Sequence, residues 1–174
     1  DLGVKLKILV VDDDPCILEM LPVILANEGM REVVCSASSH DALTAIEEAS
    51  PRFDCFIFDI AMPGLTGIDL CRRVRATRAY NATPILMLTS LRDEESMRQA
   101  LGAGATDYIT KPFDVLQIGV RIKLAHRLVT AREKITALTE GDHRDTGKQR
   151  LRENITRNEI MNLFSNELYK TGGK

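Results

Sequence analysis

Five polar residues stand at or just past the ends of apolar runs. Asp12 closes "KILVVD" (7–12) and Asp13 follows it, Asp59 closes "FDCFIFD" (53–59), Thr89 sits near the end of "PILMLTS" (84–90), and Lys111 follows "TDYIT" (106–110). As parallel strands of one sheet, these runs would bring all five residues to the same edge. Three carboxylates crowded together repel one another strongly, so a cation must hold them there. Hard oxygen ligands without His or Cys suit Mg²⁺ that keeps several waters. Lys111 would add a fixed positive charge. A carboxylate beside Mg²⁺ can attack phosphorus, with the ion and the lysine stabilising charge on the transferring oxygens. The Thr89 hydroxyl could donate to one of those oxygens. Asp59, followed by the turn residues Pro63, Gly64 and Gly67, therefore reads as a phosphoacceptor held by its strand and opened to solvent by the turn.

The elements needed to position these groups are legible along the chain. "KILVVD" is a short, β-branched apolar run, the pattern of a buried strand. Asp14-Pro15 supplies an N-cap and a first helical residue. Ile17, Leu18, Leu21 and Leu25 form the apolar face of the helix that follows, which Gly29 closes. Pro22 inside this helix should cost a hydrogen bond and bend it. "REVVCSA" (31–37) reads as a second strand. Ala42, Leu43, Ala45, Ile46 and Ala49 make a second helix, ended by Ser50-Pro51. Residues 53–59 form strand three. Residues 68–77 form helix three, with Ile68, Cys71 and Val74 inward, Leu70 beside them and the arginines outward. Residues 84–90 form strand four, 93–102 helix four and 106–110 strand five; a long helix starts near Asp114. Strands that are near-continuous apolar runs mark a parallel sheet covered on both faces. Right-handed crossovers make this a doubly wound, five-stranded α/β fold of flavodoxin-like type, with ligands at the carboxyl ends of the strands.

With these pieces in place the chain resembles the receiver domain of bacterial two-component response regulators. The resemblance rests on "ILVVDDDP" (8–15), "FIFDIAMPGLTG" (56–67), "MLTS" (87–90) and "DYITKPF" (107–113), in that order, and covers about residues 5–125. It implies that Asp59 is the phosphorylated aspartate and that Asp12 and Asp13 hold Mg²⁺, one directly and one largely through water. The Ala61 backbone carbonyl matches the remaining protein ligand. Thr89 matches the switch hydroxyl, Lys111 the phosphoryl-contacting lysine, and Tyr108 the aromatic residue that moves with the switch. The implied donor is a phosphohistidine on a sensor histidine kinase or phosphotransfer protein. The implied output surface is built from helix four, strand five and helix five. Asp14 is extra to the metal pair and reads as a helix cap, and Ser90 stands where the family often has Ala. Pro22 alters the helix where a kinase would dock.

Taken one at a time, these residues have plainer readings: Asp59 as a turn cap, Thr89 as a strand-end hydroxyl, Lys111 as a solvated turn residue, Tyr108 as strand filler. Their joint alignment favours the chemical reading. Other phosphate chemistries lack their residues. A dehalogenase-type phosphatase needs a second Asp two residues after the nucleophile, where Ala61 stands, and no G-x-x-x-x-G-K-[ST] loop is present. "GAGATD" (102–107) closes a helix instead of opening one.

Composition agrees with this picture. The 174 residues suggest one domain of about 100–150 residues with chain to spare. Without Trp, and with only five Phe and three Tyr, the core must be aliphatic. No apolar run nears the roughly 20 residues of a membrane span, and "DLGVKLKILVV" lacks a signal-peptide layout. Cys16, Cys35, Cys55 and Cys71 have no C-x-x-C spacing, so buried free thiols in a reducing cytoplasm are expected. Residues 1–113 carry a net charge of −6 and residues 114–174 a net of +4. The basic charges of the tail are interspersed, which favours a solvated helix face over direct nucleic-acid binding.

The expected organisation is a receiver domain over 1–125 and a helical extension over 126–174. Leu124, Leu128, Ala131, Ile135 and Leu138 form a heptad seam on the continuing fifth helix, broken at Gly141-Asp142. The seam reads as a parallel coiled-coil pairing two chains through 124–138 or as a helix end packed on its own domain. One or two short helices are drawn in 145–170. The expected function is a phosphorylation-controlled switch that speeds its own phosphorylation and dephosphorylation and does not turn over other substrates. The rival is a receiver-like interaction module that works without phosphorylation.

Overall fold

A computed structural model describes residues 6–90 and 94–140. Five strands alternate with five helices: β1 (Lys7–Val11), α1 (Pro15–Asn27), β2 (Glu32–Ser36), α2 (Ser39–Glu48), β3 (Cys55–Asp59), α3 (Gly67–Ala76), β4 (Ile85–Thr89), α4 (Glu94–Ala103), β5 (Asp107–Thr110) and α5 (Val115–Glu140). All pairs are parallel and the order is β2-β1-β3-β4-β5. The order reverses between β1 and β3, which opens a crevice at their carboxyl ends.

The helix starts follow local chemistry. Asp14, Ser38 and Thr66 each accept a hydrogen bond from a first-turn N–H, and Pro15 occupies the first helical position of α1. The helix runs unbroken through Pro22 to Asn27, because tertiary burial of Leu21, Ile24 and Leu25 outweighs one lost backbone bond. Gly29 then takes a positive φ of 87°, the usual left-handed exit from a helix.

The sheet divides the core in two. Leu9, Val11, Phe56, Phe58, Ile85 and Met87 pack with Ile46 of α2, Ile68, Leu70, Cys71 and Val74 of α3 and Ala100 of α4. The alternate strand residues Ile8, Val10, Ile57, Leu86 and Leu88 are equally buried on the opposite face. There Cys35 approaches Leu18 of α1 and Asp107 meets Arg121 of α5. Lys123 of α5 pairs with Glu28 at the end of α1 at 2.7 Å.

Three expectations are corrected. The thiols are not all buried: Cys16 and Cys35 are exposed, and only Cys55 and Cys71 are interior. Strand two is an edge strand with Glu32, Val34 and Cys35 exposed, because only one of its sides has a neighbour. The arginines of α3 do not all face water. Arg72 and Arg73 do, but Arg75 turns inward and donates to the Tyr80, Thr83 and Gly104 carbonyls.

The chain divides into two units, 1–126 and 127–174. The first holds the sheet. In the second, the described helix residues 127–140 leave Ile135 39% and Leu138 78% exposed. The helices drawn in 145–170 lie outside the described residues. No described helix is long and apolar enough to cross a membrane.

Candidate functional site

Asp12 and Asp59 follow from the two central strands. β1 and β3 pair with Val11 opposite Phe58, so the next residues, Asp12 just past β1 and Asp59 at the end of β3, stand side by side at the carboxyl edge. The Asp12 N–H donates to the Ser36 carbonyl at 3.2 Å and the Ile60 N–H to the Leu88 carbonyl at 2.9 Å; the ladder thus continues past both carboxylates and holds their backbones. Carboxylate oxygens of Asp12, Asp13 and Asp59 all lie within 4.8 Å of one another. Asp12 and Asp59 are buried and Asp13 is exposed, so one side of the cluster faces solvent.

Lys111 reaches this cluster from β5. Its backbone N–H donates to the Thr89 carbonyl at 2.7 Å, and its Nζ lies 2.7 Å from both Asp12 Oδ2 and Asp59 Oδ1. The other Asp12 oxygen accepts the Asp14 N–H at 2.9 Å. Burial pushes the Asp59 carboxyl above its ordinary range; the Lys111 hydrogen bond pulls it down, and the charges of Asp12 and Asp13 push it up again. For Lys111, burial works against the charged form, but the bonds to Asp12 and Asp59 outweigh it and the ammonium is stabilised.

Thr89 is buried at the carboxyl end of β4, one residue beyond the partner of Asp59. Tyr108 is half-buried and packs against the apolar cluster on the α2–α4 face. Ala61 lies exposed in the loop two residues after Asp59. The structure therefore brings Asp12, Asp13, Asp59 and Lys111 together, with Thr89 ending the adjacent strand and Tyr108 two strand positions before its end.

Several positioning residues are not evident from residue type alone. Gly67 opens α3 directly against the end of β3. A Cβ there would fall 1.9 Å from the Asp59 carbonyl oxygen, so only glycine fits. The "PGLTG" spacing marked a turn without revealing this close approach. Asp14 contributes its backbone N–H to Asp12 as well as its cap to Cys16. Asp107, buried at the start of β5, lies 3.2 Å from Arg121 Nε. That N–H points to the Tyr108 carbonyl instead, also at 3.2 Å. The Asp107 pair is thus electrostatic, and its Oδ2 accepts no hydrogen bond.

Three clustered carboxylates without nitrogen or sulfur donors fit a hard divalent cation. Asp12, Asp13 and Asp59 would hold Mg²⁺, and the ion when bound would neutralise charge on phosphoryl oxygens.

Residues 8–123 match the response regulator receiver domain family. The DNA-binding response regulator MtrA of Mycolicibacterium smegmatis is 41% identical over 117 residues, covering 67% of this chain and 49% of the relative. The chain thus spans about half the length of that relative, whose DNA binding is named for the whole protein. A CheY-like receiver domain protein from Methanospirillum hungatei superposes with a TM-score of 0.67 at 30% identity, over 74% of this chain and 99% of the other. The chemotaxis response regulator CheY4 of Vibrio cholerae superposes with a TM-score of 0.65 at 34% identity, over 70% and 99%.

Proposed function

This chain belongs to the response regulator receiver family of two-component systems, and from that premise we propose that it is a phosphorylation-controlled switch with Asp59 as its acceptor. The observation that carries this reading is the Lys111 ammonium, 2.7 Å from both Asp12 and Asp59, in a cluster of three carboxylates at the strand ends. One fixed cation against three carboxylates leaves an excess of negative charge suited to Mg²⁺.

In the proposed step an Asp59 carboxylate oxygen forms the O–P bond while the N–P bond of a phosphohistidine donor breaks. The electron pair goes to the departing imidazole, which takes its proton from solvent. Lys111 offsets charge on the phosphoryl oxygens, and Thr89 donates its hydroxyl to one of them. Mg²⁺, held by Asp12, Asp13, Asp59 and the Ala61 carbonyl, would supply the remaining charge compensation. The partner is a sensor histidine kinase or phosphotransfer protein. Thr89 and Tyr108 pass the change to the α4–β5–α5 face, and the 124–138 seam pairs two chains. The chain catalyses only its own phosphorylation and dephosphorylation. Its free thiols suit a reducing cytoplasm.

The test is intact mass after incubation with Mg²⁺ and a small acyl-phosphate donor. One phosphoryl group gained by the wild type, and lost in Asp59→Asn or without Mg²⁺, supports the switch. No gain under any condition would leave the phosphorylation-independent interaction module.

A further inference from the structure

The two ends of α4 lie at opposite edges of the sheet. Its N-terminal end follows β4, whose last residue is Thr89, and its C-terminal end precedes β5. The helix buries little: Glu94, Glu95, Arg98 and Gln99 are exposed, and Ala100 alone is fully buried among its described residues. Its apolar anchorage therefore lies in the C-terminal half.

The same half is tied to α3. Cys71 Sγ donates to the Ala103 carbonyl at 3.5 Å, and Arg75 Nε to the Gly104 carbonyl at 2.8 Å. Arg75 Nη1 also donates to the Tyr80 carbonyl at 2.9 Å and the Thr83 carbonyl at 2.6 Å. One guanidinium thus joins α3, the segment leading to β4 and the turn after α4. Its charge beside the C-terminal end of α4 also complements the helix dipole. Gly104 adopts φ +110°, and a Cβ there would meet Arg75 Cγ at 2.8 Å, so the turn is shaped around this side chain. The planar fork of Arg serves several carbonyls at once, which the point charge of Lys cannot reproduce.

We propose that Arg75 is a positioning residue that fixes the C-terminal end of α4 to α3, so that changes at the phosphoacceptor edge turn α4 about that end and displace its N-terminal end. This rests on the switch reading above for the phosphoryl-driven part, whereas the anchor itself is a property of the chain in either state.

Hydrogen exchange of the full chain, with and without Mg²⁺ and an acyl-phosphate donor, tests it in wild type and Arg75→Lys. In the wild type, phosphorylation should change exchange at amides 94–97 and leave 100–105 unchanged. In Arg75→Lys, amides 100–105 should exchange about tenfold faster even without phosphorylation, and the phosphorylation response should spread into them. Phosphoryl uptake by mass and exchange of the β3 amides should stay as in wild type, which separates the anchor from general destabilisation. If Arg75→Lys does not fold, Cys71→Ala removes a second tie and should give the same local loosening. Unchanged exchange at 100–105 in the folded variant, or wild-type responses equal at both ends of α4, would overturn the proposal. If the wild type takes up no phosphoryl group, the switch reading fails, and exchange at 100–105 without donor still decides the anchor.

Discussion

The Lys111 ammonium and the Asp59 carboxylate meet at 2.7 Å, joining the loop after β5 to the end of β3 in a site that Asp12 closes from β1. The distance suits a charge-assisted hydrogen bond, and it leaves the ammonium placed to follow charge onto a phosphoryl group. Replacing Lys111 with Met keeps the apolar stem and removes that charge. Phosphoryl uptake from a small donor should then fall by about 100-fold or more, as read from the rate of mass gain.

Removal of Mg²⁺ should act on stability as well as on chemistry. A cation bound only by the folded chain raises stability by about 2.7 kcal/mol at 100 times its Kd. The melting temperature should climb with Mg²⁺ in the wild type and respond only weakly in Asp13→Asn, which keeps the fold and loses an exposed ligand. A flat titration in the wild type would remove the metal from the proposal.

Gly67 sets a steric limit under Asp59. Its substitution by Ala would drive a methyl group into the Asp59 carbonyl. Relief requires moving the start of α3 away from β3. A loss of roughly 1–3 kcal/mol in chemical denaturation is expected, together with slower phosphoryl uptake, because the methyl group presses on the backbone carbonyl of Asp59 itself.

Asp107 gives the fold a pH dependence away from the acceptor. Burial pushes its carboxyl up, and Arg121 and the Tyr108 N–H pull it only part of the way back. Its folded pKa thus lies above its unfolded one. Between the two values the folded state holds more protons, so stability falls as pH rises through that interval. This one group's contribution is fully retained below the ordinary Asp range and fully lost above the raised value. Asp107→Asn lacks this fall. The variant-minus-wild-type difference in melting temperature should grow as pH rises across that interval. A difference constant with pH would contradict it.

The seam makes a separate prediction. Leu138 is 78% exposed, a large apolar group with no cover in its own unit among the described residues. Leu138→Lys should lower self-association in light scattering and leave phosphoryl uptake unchanged. Equal association in the two proteins would exclude the seam as the pairing surface.

The strands and the meeting of Asp12, Asp13 and Asp59 at one sheet edge were legible in the amino-acid order. Apolar runs ending in Asp12, Asp59 and Thr89 carry their own register, since a strand emerging from a parallel sheet delivers its last residue to the carboxyl edge. The Asp14-Pro15 start of α1 was readable for a similar reason: capping depends on neighbours in the chain. What remained hidden depends on contacts between residues distant in sequence. Arg75 reads like Arg72 and Arg73 in a helical pattern, and only the carbonyls of Tyr80, Thr83 and Gly104 draw it inward. The exposure of Cys16 and Cys35 followed from which strand became the edge and which side of α1 faced water. Gly67 looked like turn punctuation until β3 and α3 were packed together. Local periodicity specifies which elements form, but the approach of one backbone to another, and the burial of a charge that this approach permits, exist only once the elements are assembled.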